Sequence, residues 1–89
     1  MDEKKTGRIE FPCIFPLKAI GRDEDDFAEF VTEIVRRHVP ELKDDAVSTR
    51  ASLGGKYISV TATFVATSQE QLDAMYYELS SHERVLFVL

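Results

Sequence analysis

Apolar positions in the stretch 27–38 fall at Phe27, Phe30, Val31, Ile34 and Val35, with His38 on the same phase. This i, i+3, i+4, i+7, i+8, i+11 spacing marks one face of a helix and predicts a helix over 25–38. The acidic run Asp23, Glu24, Asp25 and Asp26 leads into it and Arg36 and Arg37 close it, so both ends complement the helix dipole. Glu33 is placed to pair with Arg36 or Arg37 on the outer face. Pro40 stops the helix, since the residue before a proline is pushed out of helical geometry. A second, shorter stripe, Leu72, Met75, Tyr76 and Leu79, predicts another helix. Ser68 is its cap, and Gln71, three residues on, is placed to close a capping box.

Elsewhere the period changes from that of a helix to that of a strand. Over 57–66, Ile58, Val60, Ala62, Phe64 and Ala66 alternate with Tyr57, Ser59, Thr61, Thr63 and Val65, so the first set is expected to face a core. A weaker strand over 46–52 precedes it across Leu53, Gly54, Gly55 and Lys56, where paired glycines supply the positive φ angles of a tight hairpin. Strands are also expected over 13–20, entered through Pro12 and left by a turn at Gly21, and over 83–89. The order strand, helix, strand, strand, helix, strand describes two right-handed βαβ units joined by a hairpin. The expected fold is α+β and ferredoxin-like: βαββαβ, a four-stranded antiparallel sheet in the order four, one, three, two, with both helices on one face. Residues 1–10 are expected to be a flexible tail and 11–89 a single domain.

Such a sheet leaves its other face open, and a face that meets only water reads as polar at alternate positions. Ser48, Arg50, Ser52, Tyr57, Ser59, Thr61 and Thr63 satisfy that rule. The last strand does not, because Val85, Leu86, Phe87, Val88 and Leu89 are apolar on both faces. Ile20, Tyr57, Val85, Phe87 and Leu89 are therefore the candidate interface residues, forming a patch to be covered in a homodimer or by another protein.

Composition narrows the chemistry. With 89 residues the chain has room for one modest core and few buried polar groups, which disfavours catalysis. Eleven Lys and Arg against 16 Asp and Glu give a net charge of −5, which opposes nucleic acid and anionic membranes. No apolar run is long enough for a membrane span and no signal peptide is read. The lone Cys13 fits a reducing, cytoplasmic setting, lacks the basic neighbours of a reactive thiol, and cannot provide the paired thiols of a metal carrier. RNA reading on this fold needs stacking rings on the central strands, where only Tyr57 is available. An acyl-phosphate cradle after the first strand is opposed by the acids that follow Arg22. His38 and His82 have no partner residues suggesting a ligand set. No catalytic residue, metal site or cofactor is expected.

The sequence resembles the YbeD-like family of small bacterial proteins. The resemblance is carried by Glu10, Phe11, Pro12, Phe15, Lys18 and Gly21; by Arg37, His38 and Pro40; by Ser52, Gly55, Tyr57, Ser59, Val60 and Thr63; by Tyr76, Glu78 and Leu79; and by Glu83, Val85, Val88 and Leu89. That family is of unknown function and is sometimes labelled lipoate-regulatory. The resemblance implies a ferredoxin-like fold similar to the ACT-type regulatory domains that bind amino acids at dimer interfaces. It implies no established activity and offers no catalytic residues to carry over.

Two functional readings follow. In the first, a regulatory module senses a small metabolite where the first strand meets the first helix, with Gly21, Arg22 and Asp23 as candidate ligand-binding residues and a neighbouring subunit completing the pocket. The acidic run would suit an ammonium group there better than an anion. In the second, the domain is an adaptor without a small ligand, docking a protein through the open sheet face and the C-terminal edge strand.

Overall fold

In the computed structural model, residues 10–24, 26–52 and 54–89 are described. The elements are β1 (Cys13–Arg22), α1 (Phe27–His38), a 3-10 turn at Asp44–Ala46, β2 (Val47–Ala51), β3 (Tyr57–Ala66), α2 (Gln69–Ser80) and β4 (Val85–Val88). The strands pair antiparallel in the order β2-β3-β1-β4, so the ferredoxin-like βαββαβ arrangement expected from the sequence is the observed one. The expected tail, 1–10, lies outside the described residues apart from Glu10, as does Leu53 of the hairpin.

One face of the sheet is closed by both helices. Leu17 and Ala19 of β1 and Val60, Ala62, Phe64 and Ala66 of β3 pack against Phe27, Val31, Ile34 and Val35 of α1 and Leu72, Met75 and Leu79 of α2. The inward set predicted for β3 is confirmed, with Ile58 partly buried at its edge. No polar or charged residue lies in this core among the described residues.

Three local expectations are corrected. First, α1 begins at Phe27 rather than 25, because Asp26 adopts a left-handed conformation (φ 59°, ψ 39°) that a helix cannot continue. Only Glu29 is an acid of the first turn, so Asp23, Glu24 and Asp26 belong to the approach to the helix; Asp25 lies outside the described residues. Second, Ser68 caps α2 as expected, its Oγ accepting from the Gln71 amide at 3.0 Å, but Gln71 Oε1 accepts in return from the Thr67 amide at 2.9 Å rather than from that of Ser68. The other end of the same side chain donates to the His38 carbonyl at 3.1 Å, tying the start of α2 to the end of α1.

Third, Gly21 is not an exit turn. It lies within β1, buried, where a Cβ would stand 2.4 Å from the Arg84 carbonyl oxygen and 2.5 Å from the Phe27 ring. Its missing side chain lets β4 and the start of α1 close onto β1. The turn glycines are Gly54 and Gly55, at φ 88° and 70° in the hairpin.

Candidate functional site

Strand register assigns every residue of the open face. Along β1 the outward positions are Ile14, Pro16, Lys18, Ile20 and Arg22, opposite Val65, Thr63, Thr61, Ser59 and Tyr57 of β3. Ser48 and Arg50 of β2 continue the rows of Thr61 and Ser59, and Ser52 lies beside Tyr57 through its backbone bond of 2.8 Å. On the other side Phe87 of β4 faces Ile20, and Leu89 bonds to Lys18 through both backbone groups.

The last strand, apolar throughout in sequence, thus sorts into two sides. Val85 was an interface candidate, but it pairs with Gly21 on the helix side, is only 8% exposed and belongs to the core. Phe87 and Leu89 are 63% and 64% exposed on the open face, with Tyr57 and partly buried Ile20 beyond them. A register shift between Ile20 and Gly21 leaves Leu86 as the extra residue of a bulge. That bulge and the short length of β4 make its outer edge a poor template for an added strand. Ile14 and Val65, absent from the candidates, form a second exposed apolar pair at the far end of the same face. Their parity with Ile20 and Tyr57 was the signal that could have found them.

The charges of the sheet are also one-sided. Lys18, Arg22 and Arg50 are the only charged residues in the four strands, all are basic, and all point away from the helices. Among the described residues none of the three makes an ion pair or a side-chain hydrogen bond.

The candidate ligand site is less open than expected. Gly21 is occluded as described above. Arg84 lies across the helix start, its guanidinium 4.6 Å from the Phe30 ring centre and donating to the Glu24 carbonyl at 2.8 Å. Arg22 and Asp23 remain exposed and line a shallow cleft of about 460 Å³ with Glu24, Gly55, Lys56 and Tyr57.

A cluster of ionisable side chains joins the helices. His38 Nε2 is 2.8 Å from Glu78 Oε1, and Arg37 donates to the other carboxylate oxygen. The His38 hydrogen bond, with the Arg37 charge and bond, holds the Glu78 carboxyl below its ordinary range against the opposing effect of burial. These contacts replace the expected pairing of Glu33: Arg37 reaches α2, while Arg36 binds the Leu42 carbonyl at 3.0 Å and Asp44 at 2.9 Å. Among the described residues no serine, threonine or cysteine side chain hydrogen-bonds to the His38 or Glu78 side chain, and the pair's partners make it a clasp between α1 and α2. His82 packs edge-on against Phe30. No gathering of three or more His, Cys, Asp or Glu suited to a metal ion occurs among the described residues, and no helix there is long and apolar enough to cross a membrane.

Comparison with known proteins agrees with this picture. Residues 7–89 match the family described as protein of unknown function (DUF493). A UPF0250 protein of Chromobacterium violaceum is 44% identical over 89 residues, all of both chains. A UPF0250 protein of Neisseria gonorrhoeae is 45% identical over 87 residues, covering 98% of this chain and 96% of that one. The solution structure of protein HP0495 from H. pylori superposes with a TM-score of 0.69 over 98% of this chain and 91% of its own, at 14% identity, which speaks for the fold alone. The chain belongs to the DUF493/UPF0250 family, as the YbeD-like resemblance implied.

Proposed function

We propose that this member of the DUF493/UPF0250 family is a non-catalytic interaction module that docks a protein partner on its open sheet face. The observation that carries the reading is the exposure of Phe87 and Leu89, beside Ile20, on a face that no element among the described residues covers. Large apolar side chains gathered on one face of a small domain mark a surface completed by something else. The test is a comparison of the parent chain with Phe87→Asp as affinity baits, followed by purification of any captured protein and mapping of its contact by amide chemical shifts. Shifts along β1 and β4 with binding lost in Phe87→Asp support the reading. A purified partner bound equally well by both chains, or on the helix layer, refutes it.

A second reading, metabolite sensing in an ACT-like manner, is favoured by the cleft at Arg22 and Asp23. Its rim carries both Arg22 and Lys56 and both Asp23 and Glu24, the mixed charge that an amino acid's own two groups would meet. A thermal-shift screen of amino acids and lipoate analogues tests it, because a ligand bound only by the folded state raises the melting temperature. A flat response at millimolar concentration removes this reading.

A further inference from the structure

We infer that the partner of the open face is an acidic polypeptide segment with apolar residues between its carboxylates, an inference that rests on the docking reading above. The argument is charge complementarity. In a chain of net charge −5, every charged residue carried by the sheet is basic and lies on this face, while the acids of the described residues sit in the helices, loops and turns. Positive edge residues often guard a sheet against aggregation, but Lys18 and Arg22 are on β1, a central strand, where that function is not needed.

The register gives the charges a shape. Lys18 and Arg22 are four residues apart along β1, about 13 Å at the rise of an antiparallel strand. Arg50 lies in the row of Ile20 two strands away, about 10 Å across the sheet, so the three cations form a triangle of sides about 12–13 Å. Ser59 lies inside it and Ile20 at the middle of its β1 side, Thr61 and Tyr57 flank its other two sides, and Phe87 and Leu89 lie beside it on β4. At these separations, longer than the Debye length of about 8 Å at physiological salt, the cations tolerate one another in the free protein. An extended segment bearing acids at i and i+4 spans Lys18 and Arg22 and sets its residue i+2 over Ile20.

Other occupants fit less well. Face-to-face pairing of two copies sets a surface whose side-chain charges are all positive against itself. Single-stranded RNA needs several aromatic platforms on the central strands, which present only Tyr57, beside Ile20, Ser59 and Thr61, among the described residues. Anionic lipid needs a denser basic cluster than three separated cations.

The experiment pans random peptides of about twelve residues against the full chain. Enriched sequences are then synthesised with a fluorophore, and anisotropy is measured at low and high salt for the parent and for Lys18→Glu/Arg22→Glu. Both substituted positions are exposed, and circular dichroism verifies the fold. The expected result is enrichment of acidic sequences with interspersed apolar residues, amide shifts centred on Lys18, Ile20, Arg22 and Phe87, and weakening by salt. The double variant should lose on the order of tenfold or more in affinity and gain binding to the charge-inverted peptide. Neutral or basic peptides bound on the open face, or affinity indifferent to the double variant, overturn the acidic assignment and leave the docking reading standing. Absence of enrichment, or shifts confined to the helix layer, overturns both. Tighter binding of the parent to a single-stranded oligonucleotide or to phosphatidylglycerol vesicles than to the acidic peptides, or self-association mapped to this face, also overturns the assignment.

Discussion

Gly21→Ala separates a glycine needed for packing from one needed for a ligand. The added Cβ would stand 2.4 Å from the Arg84 carbonyl oxygen and 2.5 Å from Phe27 Cε1 and Cζ, about an ångström inside ordinary contact. Neither neighbour yields easily: one is backbone leading into β4, and the other is a ring only 2% exposed that anchors the start of α1. Overpacking of this kind costs about 1–3 kcal/mol, and two stiff neighbours place the cost in the upper half of that range. Acting in the opposite direction, alanine restricts the unfolded chain and returns about 0.4–1 kcal/mol. The balance is a loss of about 1–2.5 kcal/mol, which for a domain of this size lowers the melting temperature by about 5–20 °C. Thermal and urea unfolding followed by circular dichroism measure it. An unchanged or raised melting temperature would refute the packing argument. Repeating the substitution in a Phe27→Leu background should recover about 1 kcal/mol of the loss, since the two residues share one contact; strict additivity would show that the Cβ is accommodated elsewhere.

The two sides of β4 predict opposite outcomes for one substitution: Val85→Asp buries a carboxylate in the core and unfolds the domain, whereas Phe87→Asp costs less than about 1 kcal/mol, both read by circular dichroism. Ser68→Ala removes the side-chain oxygen that accepts from Gln71 and should destabilise by about 1 kcal/mol, lowering the melting temperature by about 4–8 °C. Glu78 ionises more readily in the folded than in the unfolded chain, so its contribution is complete above the ordinary carboxylate range and is lost as pH falls through the lower folded value. Glu78→Gln should therefore lower the melting temperature at neutral pH by an amount that shrinks as pH falls below the ordinary carboxylate range; a difference constant with pH would contradict the clasp.

Topology was legible in the sequence because hydrophobic period and turn residues agreed at both helices and at the central hairpin. The alternation over 57–66, the glycine pair at 54 and 55 and the stripe through Leu72 and Met75 each reappear in the structure. What misled was local chemistry with two uses. An acidic run before an apolar stripe reads as a helix start, but Asp also tolerates the left-handed conformation that Asp26 adopts to delay the helix. Glycine after an apolar run reads as a turn, but at Gly21 its value is the space it leaves for Phe27 and the Arg84 carbonyl, neither of which is near it in sequence.

The candidate face was legible only in part, because its composition depends on register and no single strand displays it. Val85 and Phe87 are both apolar and two residues apart, so alternation alone would set them on the same side. The bulge makes Leu86 an extra residue of β4, so Val85 and Phe87 face consecutive residues of β1, Gly21 and Ile20, which point to opposite sides, and core is thereby separated from surface. The cations show the same dependence across strands. Lys18, Arg22 and Arg50 are scattered over 33 positions of sequence and disappear within a negative total, yet antiparallel pairing through β3 brings them onto one side of the sheet. Net charge describes how the molecule is felt at a distance, where screening blurs it. What docks against the sheet first meets the side chains that the strands present, and the charged ones among these are all basic.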